Sequence, residues 1–161
     1  MASVVVGVTL HQPEQILEAA VRFAAAFDAE LVCAHVDVAR YPTGENPDGS
    51  VDSLPFDPDL SDLGAPIFDP TLARQIEAVL GSGTVRWSLR ALAGDPALAL
   101  SRLADSLGAV AIVVGTRRRR AGIQEFFAGS IAMHLAHRQH RPVIVVPLSP
   151  VDRDADLPWE G

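Results

Sequence analysis

Short apolar runs separated by helical patterns organise the chain from end to end. Continuous apolar runs at 3–9, 30–38 and 109–114 predict strands that are buried on both faces of a sheet. Apolar and polar residues alternate over 85–91, which predicts a half-exposed strand at a sheet edge. A last apolar run, 142–147, has a proline at each end and predicts a second edge strand.

Helical patterns fill the intervals between the predicted strands. Apolar residues recur at helical spacing in four segments, 13–28, 70–80, 96–107 and 130–139. Asp69-Pro70 and Asp95-Pro96 each combine a capping carboxylate with a proline suited to the first turn. The alternation predicts a doubly wound, Rossmann-like α/β fold, with a five-stranded parallel sheet and helices on both faces. Ligands bind such sheets beyond the carboxyl ends of the strands, where the strand order reverses.

Charge is distributed unevenly along the 161 residues. Residues 41–70 contain seven acids and no base, and residues 149–161 have a net charge of −3, whereas the remainder is mildly basic. We therefore expect one domain over 1–148, with an acidic, proline-rich insertion at 40–70, followed by an acidic tail. Two interpretations of the insertion stay open. It is either a solvated loop or a lid that lies over a basic site in the body.

Composition excludes several classes of function. No apolar run reaches the roughly 20 residues of a membrane helix, and no signal-peptide pattern opens the chain. Every basic residue apart from histidine is arginine, so a Walker A lysine and a lysine Schiff base are both ruled out. The single cysteine, Cys33, cannot form an internal disulfide, and a cytoplasmic location fits best. His134 and His137 have a spacing that can bind a metal but lack a third ligand nearby, so no metal site is predicted.

The segment 114–131, VGTRRRRAGIQEFFAGSI, carries the strongest chemical signal. Glycines beside a helix N-terminus let backbone N–H groups approach a phosphate, and the helix dipole favours the negative charge. The arginines 117–120 add potential bidentate contacts. An anionic, phosphate-bearing ligand is one interpretation, and a solvated surface loop is the other. Nucleic acid is less favoured, because no aromatic residues are interleaved with the arginines and the net charge is −7.

The order of these motifs resembles a single-domain universal stress protein. Members of that family end their fourth strand in Val-Gly-Ser/Thr and continue with a glycine loop that closes in Gly-Ser/Thr. The strand VVVGV, the pair His35-Val36, the turn Gly94-Asp95-Pro96 and the closing GSIAMHLAHRQHRPVIVVP are similar to the family at corresponding places. The resemblance covers about 3–38 and 70–148. It implies the strand order 3-2-1-4-5 and a homodimer formed through the last strand, Val143 to Val146.

The resemblance also implies a nucleotide site. In nucleotide-binding members the glycine loop holds the phosphates and ribose of ATP, and a strand-two residue meets the adenine through its backbone. The matching positions in this chain are Val8, Thr9, Val36, Gly115, Arg117, Arg118, Gly129, Ser130 and Ile131. Three departures weaken the match, and one of them is that the spacing from Gly115 to Gly129 is one residue longer than the family pattern. The other two are substitutions. Thr9 stands where the family usually has aspartate, and an arginine, Arg118 or Arg119, replaces the second loop glycine.

Three functions are therefore considered. The first is a stress-response protein that binds ATP, with Mg²⁺, or a related adenine nucleotide as a regulatory ligand and has at most slow, incidental hydrolysis. The second is a dimeric interaction module that has lost the nucleotide. The third is a phosphate-handling enzyme on the same fold, although no catalytic base or nucleophile stands out in the sequence. Neither a nucleic-acid partner nor a membrane partner is expected.

Overall fold

The computed structural model describes residues 1–10, 14–59, 67–116 and 130–148. In these residues seven strands and four helices follow one another along the chain. Their bounds are β1 Ser3–Gly7, α1 Glu14–Ala26, β2 Glu30–Asp37, β3 Arg40–Glu45, β4 Val51–Pro55, α2 Pro70–Leu80, β5 Trp87–Ala93, α3 Pro96–Ser106, β6 Ala111–Gly115, α4 Ser130–Arg138 and β7 Val143–Val146.

Five strands form the main sheet in the order β5-β2-β1-β6-β7, and every neighbouring pair is parallel. Once the two strands of the insertion are set aside, this is the predicted order 3-2-1-4-5, so the predicted fold is confirmed. The strands β5 and β7 lie at the two edges, as their alternating and proline-flanked patterns indicated. The first strand ends at Gly7 rather than Thr9, because its register with β2 stops at the pair Gly7–Ala34.

Two apolar cores lie on opposite faces of the sheet. Alternate residues of β1 and β2, such as Val6 and Cys33, pack beneath α1 and α2. The residues between them, such as Val5 and Val32, pack beneath α3 and α4 around Leu103. Strands that are buried on both faces read as continuous apolar runs, which explains why the central strands were visible in the sequence.

The two Asp-Pro pairs start helices as predicted. The Asp69 carboxylate accepts hydrogen bonds from the N–H groups of Thr71 and Leu72 at 2.8 and 3.0 Å. The Asp95 carboxylate accepts from the Leu98 N–H at 2.8 Å. Each bond satisfies an N–H group that the first helical turn leaves without a partner.

The acidic insertion is not the structureless loop that its composition suggested. It forms an antiparallel hairpin of β3 and β4, which we call the insertion hairpin, with a bulge between Pro42 and Gly44. Buried Arg40 stabilises the hairpin from its inner side, because its guanidinium donates to the hydroxyl and the carbonyl of Ser53, both at 2.8 Å. A bulge and an unpaired outer edge let the two strands accommodate Pro42 and Pro55.

The strands of the insertion hairpin pack against β5, and its turn lies against α3. Gly49 in its turn lies over Leu103 of α3, close enough that a Cβ atom built there would be 2.4 Å from the leucine Cδ1. Arg90 of β5 donates to the Asp48 carbonyl at 2.7 Å, and Arg102 of α3 lies 3.6 Å from the Glu45 carboxylate. The hairpin therefore covers the β5 side of the domain.

Candidate functional site

The strand order reverses between β1 and β6, the two strands at the centre of the sheet. From β1 the chain crosses to β2 on one side, whereas from β6 it crosses to β7 on the other side. The crossover helices therefore diverge at this point and leave a crevice beyond the carboxyl ends of both strands. Gly7 and Gly115 are the last residues of β1 and β6, so the chain passes into the crevice at Val8 and at Thr116.

The backbone of Val36 is directed toward this crevice. The Ala34 carbonyl accepts from the Val8 N–H at 2.8 Å, so Ala34 turns its backbone groups to β1, whereas the Asp37 carbonyl accepts from Gly94 on the β5 side. Because strand residues alternate, the N–H and C=O of Val36 also turn toward β1, beyond its end. Within the described residues, no hydrogen bond joins the Val36 N–H to the Val8 carbonyl. Val36 thus offers one backbone donor and one acceptor to a ligand.

His35 explains why that ladder stops. Its Nδ1 lies 3.0 Å from the Val8 carbonyl oxygen, and because a carbonyl can only accept, Nδ1 is the protonated ring nitrogen. The Phe68 ring packs edge-on against the imidazole, with 6.2 Å between centroids. His35 therefore fixes the turn after β1 from the α1–α2 face. No sequence pattern indicates this role, because it depends on the register of β1 against β2.

The far side of the crevice is formed by β6, β7 and α4. Gly115 pairs with Val146 of β7, and the Thr116 hydroxyl accepts from the Leu148 N–H at 2.9 Å. This contact ties the residue after Gly115 to β7. Helix α4 begins at Ser130, and Ile131 packs against the same core cluster as Val36. The structure therefore places Val36 and Ile131 on the α3–α4 face of the sheet.

Not every predicted site residue can be located. Arg117, Arg118 and Gly129 lie outside the described residues, as does Arg119, and the side chain of Ser130 is not described. Of the remaining predicted residues, Val8 is buried in the core on the α1–α2 face, whereas Thr9 is exposed. The structure thus brings together the ends of β1, β2 and β6, and the contacts of the arginines stay predictions.

Two cavities lie beside the crevice rather than in it. One, of about 230 Å³, opens between α1 and α2 and is lined by Val8, Thr9 and Ile76 among others. It lies across the sheet from Val36 and Ile131, so it does not extend their surface. The other, of about 80 Å³, lies under the insertion hairpin, next to Leu92 and Leu103. The end of β2 at Val36 therefore lies outside both of these cavities.

Among the residues that the structure describes, no reactive group stands out near the crevice. Burial raises the pKa of the Cys33 thiol to about 12, so it stays protonated and behaves as a small apolar side chain. His134 and His137 are exposed on α4, and no group of three or more His, Cys, Asp or Glu side chains in the described ranges could hold a metal ion. None of the helices in that part of the chain is long and apolar enough to cross a membrane.

The comparisons with known proteins agree with this geometry. No sequence among the curated proteins matches the chain significantly. Among similar solved structures is a universal stress protein in complex with cAMP, 21% identical, with a TM-score of 0.58 over 92% of this chain and 98% of that one. The universal stress protein from Archaeoglobus fulgidus in complex with dAMP is 16% identical, with a TM-score of 0.58 over 91% and 98%.

A universal stress protein family member from Arabidopsis thaliana with AMP bound is 14% identical, with a TM-score of 0.56 over 97% of this chain and 100% of that one. At these identities the structural likeness shows the fold alone. The sequence itself matches the model of the universal stress protein family over residues 1–147. Because that match spans nearly the whole chain, this protein belongs to the universal stress protein family.

Proposed function

We propose that this protein binds an adenine nucleotide as a regulatory ligand in a stress response, at the carboxyl ends of β1 and β6. The backbone of Val36, directed past the end of β1, is the observation that carries the proposal. Adenine presents an amino donor beside a ring-nitrogen acceptor. A strand end with one free N–H and one free C=O complements that edge and does not complement guanine in the same way.

The phosphates are assigned to the segment between β6 and α4. The α4 N-terminus presents N–H groups without helical partners and the positive end of the helix dipole, which favour an anion. Gly115 and Gly129 carry no side chain that would block a phosphate, Ser130 has a hydroxyl that can donate to one, and Arg117 and Arg118 supply positive charge in place of the missing loop glycine. The positive charge of the arginines compensates for the backbone conformations that are lost where an arginine replaces the second loop glycine.

Three similar structures support the proposal, since they are complexes with cAMP, dAMP and AMP. Binding of ATP with Mg²⁺ is a more specific proposal than binding of an adenine nucleotide, and it rests on the positive charge of Arg117 and Arg118. We propose no catalysis beyond slow, incidental hydrolysis, because no catalytic base or nucleophile stands out in the sequence. A cytoplasmic site of action suits a protein whose single cysteine is a free, buried thiol.

Thr9 provides the sharpest test. The family usually has an aspartate there, so Thr9→Asp introduces a charged acceptor for the nucleotide, and Thr9→Ala is the matched control. One added hydrogen bond contributes about 0.5–1.5 kcal/mol, or roughly a two- to tenfold gain in affinity. Isothermal titration of AMP and of ATP with Mg²⁺ into wild type and both variants measures it.

The expected result is tighter binding by Thr9→Asp and unchanged or weaker binding by Thr9→Ala. Gly129→Val is expected to abolish binding of all adenine nucleotides, because its side chain would occupy the phosphate position. If nucleotide binds wild type but neither position changes its affinity, the site lies elsewhere.

A dimeric interaction module without nucleotide is the second candidate. The edge strand β7 favours it, since Val145 is 45% exposed there and an exposed apolar edge is a liability unless it is paired. We propose a homodimer with two β7 strands, Val143 to Val146, side by side. Light scattering after size exclusion should give twice the chain mass at micromolar concentration, and Val145→Lys should shift it toward the monomer. A monomeric mass for wild type would refute the dimer.

A further inference from the structure

The outer face of the insertion hairpin is apolar and aromatic. Tyr41 and Leu54 are register partners on that face, and the Tyr41 and Phe56 rings pack 5.4 Å apart between centroids. Their exposed fractions are 38% for Tyr41, 44% for Leu54 and 64% for Phe56. We call these three residues the hairpin face. Isolated apolar residues on a surface are ordinary, but three in one contiguous patch indicate an interaction site.

The opposite side of the hairpin holds this face outward. Arg40 is buried against Ser53, and Gly49 sits on Leu103 of α3, so the inner side already has its packing partners. Rotating the hairpin to bury Tyr41 and Phe56 would break those contacts. The contacts of the inner side therefore keep the hairpin face exposed in the folded protein.

In the part of the chain that the structure describes, the hairpin places only acidic charged side chains beside the hairpin face. Asp52 pairs with Gly44 on the same face, and Asp57 and Asp59 follow Phe56 as exposed residues. Residues 37–59 contain six acids and one base, and that base, Arg40, is buried on the inner side. An apolar patch with an acidic rim excludes acidic partners and favours basic ones.

We propose that the hairpin face docks a cationic amphipathic segment of a partner protein. Apolar side chains of that segment would cover Leu54 and the aromatic pair, and its arginines or lysines would face Asp52 and Asp57. Guanidinium groups also bind the faces of aromatic rings such as Tyr41 and Phe56. This inference does not depend on nucleotide binding, since the hairpin face and the crevice involve different residues.

A labelled peptide of alternating leucine and arginine, ten residues long, is a suitable probe, because alternation puts its apolar and basic residues on opposite faces of an extended strand. Fluorescence anisotropy measures its binding to the full chain. An alternating leucine and glutamate peptide controls for simple apolar adhesion. The basic peptide is expected to bind at least about tenfold more tightly, with affinity that falls as salt is raised.

Two aromatic variants locate the site. Phe56→Ser removes the most exposed ring of the hairpin face, whereas Phe27→Ser removes a ring in the turn after α1 that is 46% exposed and lies outside that face. Truncation of a buried aromatic anchor weakens an interface by about tenfold or more. We expect that loss for Phe56→Ser and Tyr41→Ser, and less than twofold for Phe27→Ser. Asp52→Asn is expected to reduce the salt dependence, and unfolding curves of each variant confirm that it is folded.

Four results would overturn the proposal. The first is equal binding of the basic and acidic peptides, and the second is equal losses for Phe56→Ser and Phe27→Ser. The third is self-association of the wild type that Phe56→Ser abolishes, which would assign the hairpin face to a second copy of the chain. Tighter peptide binding after alanine replaces the arginines 117–120 would likewise count against a foreign partner, because the chain's own arginines would then compete for the face.

Discussion

Gly49 tests whether the insertion hairpin is fixed to the domain. It has φ of +80°, and a Cβ atom at this position would lie 2.4 Å from Leu103 Cδ1 and 3.2 Å from Ser106 Oγ. Gly49→Ala therefore introduces two penalties. A left-handed conformation costs a non-glycine residue about 1–2 kcal/mol, and overpacking against buried Leu103 costs about 1–3 kcal/mol.

Gly108 provides a matched control. Its φ is +58°, but nothing lies within 4 Å of the position of its Cβ atom. Gly108→Ala should therefore lower the free energy of unfolding by only the conformational penalty of about 1–2 kcal/mol. Gly49→Ala should lower it by about 2–5 kcal/mol, the sum of both effects. Urea denaturation of the two variants and the wild type gives both values, and the difference isolates the contact between the hairpin and α3.

A double variant assigns the difference to its cause. Leu103→Ala alone costs about 2–5 kcal/mol as a buried large-to-small change. In Gly49→Ala/Leu103→Ala the overlap with the leucine side chain disappears. The double variant should therefore lose less free energy of unfolding than the two single variants lose together. If Gly49→Ala is no more destabilising than Gly108→Ala, the hairpin does not pack on α3, and the reason given for the exposure of Tyr41 and Phe56 is refuted.

Three further predictions concern the rest of the domain. Asp95→Ala removes the N-cap of α3 and should lower the free energy of unfolding, measured by urea denaturation, by about 1 kcal/mol. The control Glu18→Ala, at an exposed position, should change it by less than half as much, and equal effects would contradict the cap. Arg102→Ala should change stability by under about 1 kcal/mol, because its pair with Glu45 is half-exposed, and a larger loss would mean that the ion pair anchors the hairpin. Burial raises the pKa of the Cys33 thiol from 9.0 to about 12, so above pH 9.0 this thiol ionises only in the unfolded chain. The free energy of unfolding of the wild type should therefore fall relative to that of Cys33→Ala by about 1.4 kcal/mol per pH unit, up to about pH 12. A difference between the two that stays constant with pH would contradict the burial of the thiol.

Local signals and burial on both faces made most of the fold predictable. The Asp-Pro pairs at Asp69 and Asp95 specify helix starts through contacts within four residues, and the structure forms both caps. Continuous apolar runs identified the central strands, because both of their faces are covered. The strand order 3-2-1-4-5 was implied by the family resemblance rather than by these local signals, and the structure has that order.

The insertion hairpin could not be predicted from its sequence, because Pro42 and Pro55 argue against strands and no alternating pattern runs across the bulge. Its position depends on contacts with α3 that are distant in sequence.

The role of His35 was hidden for a similar reason. Its contact with the Val8 carbonyl exists only because β1 stops one residue earlier, and that end point is set by the register of two strands.

Binding of an adenine nucleotide is the central claim, and thermal unfolding with and without ligand tests it most directly. A ligand at 100 times its Kd stabilises the native state by about 2.7 kcal/mol. For a domain of this size the midpoint then rises on the order of 5–10 °C. The account predicts such a rise with millimolar AMP, ADP or ATP, each with Mg²⁺, a larger rise for ATP if the arginines hold its phosphates, and little change with GTP. An unchanged midpoint with every adenine nucleotide would contradict it.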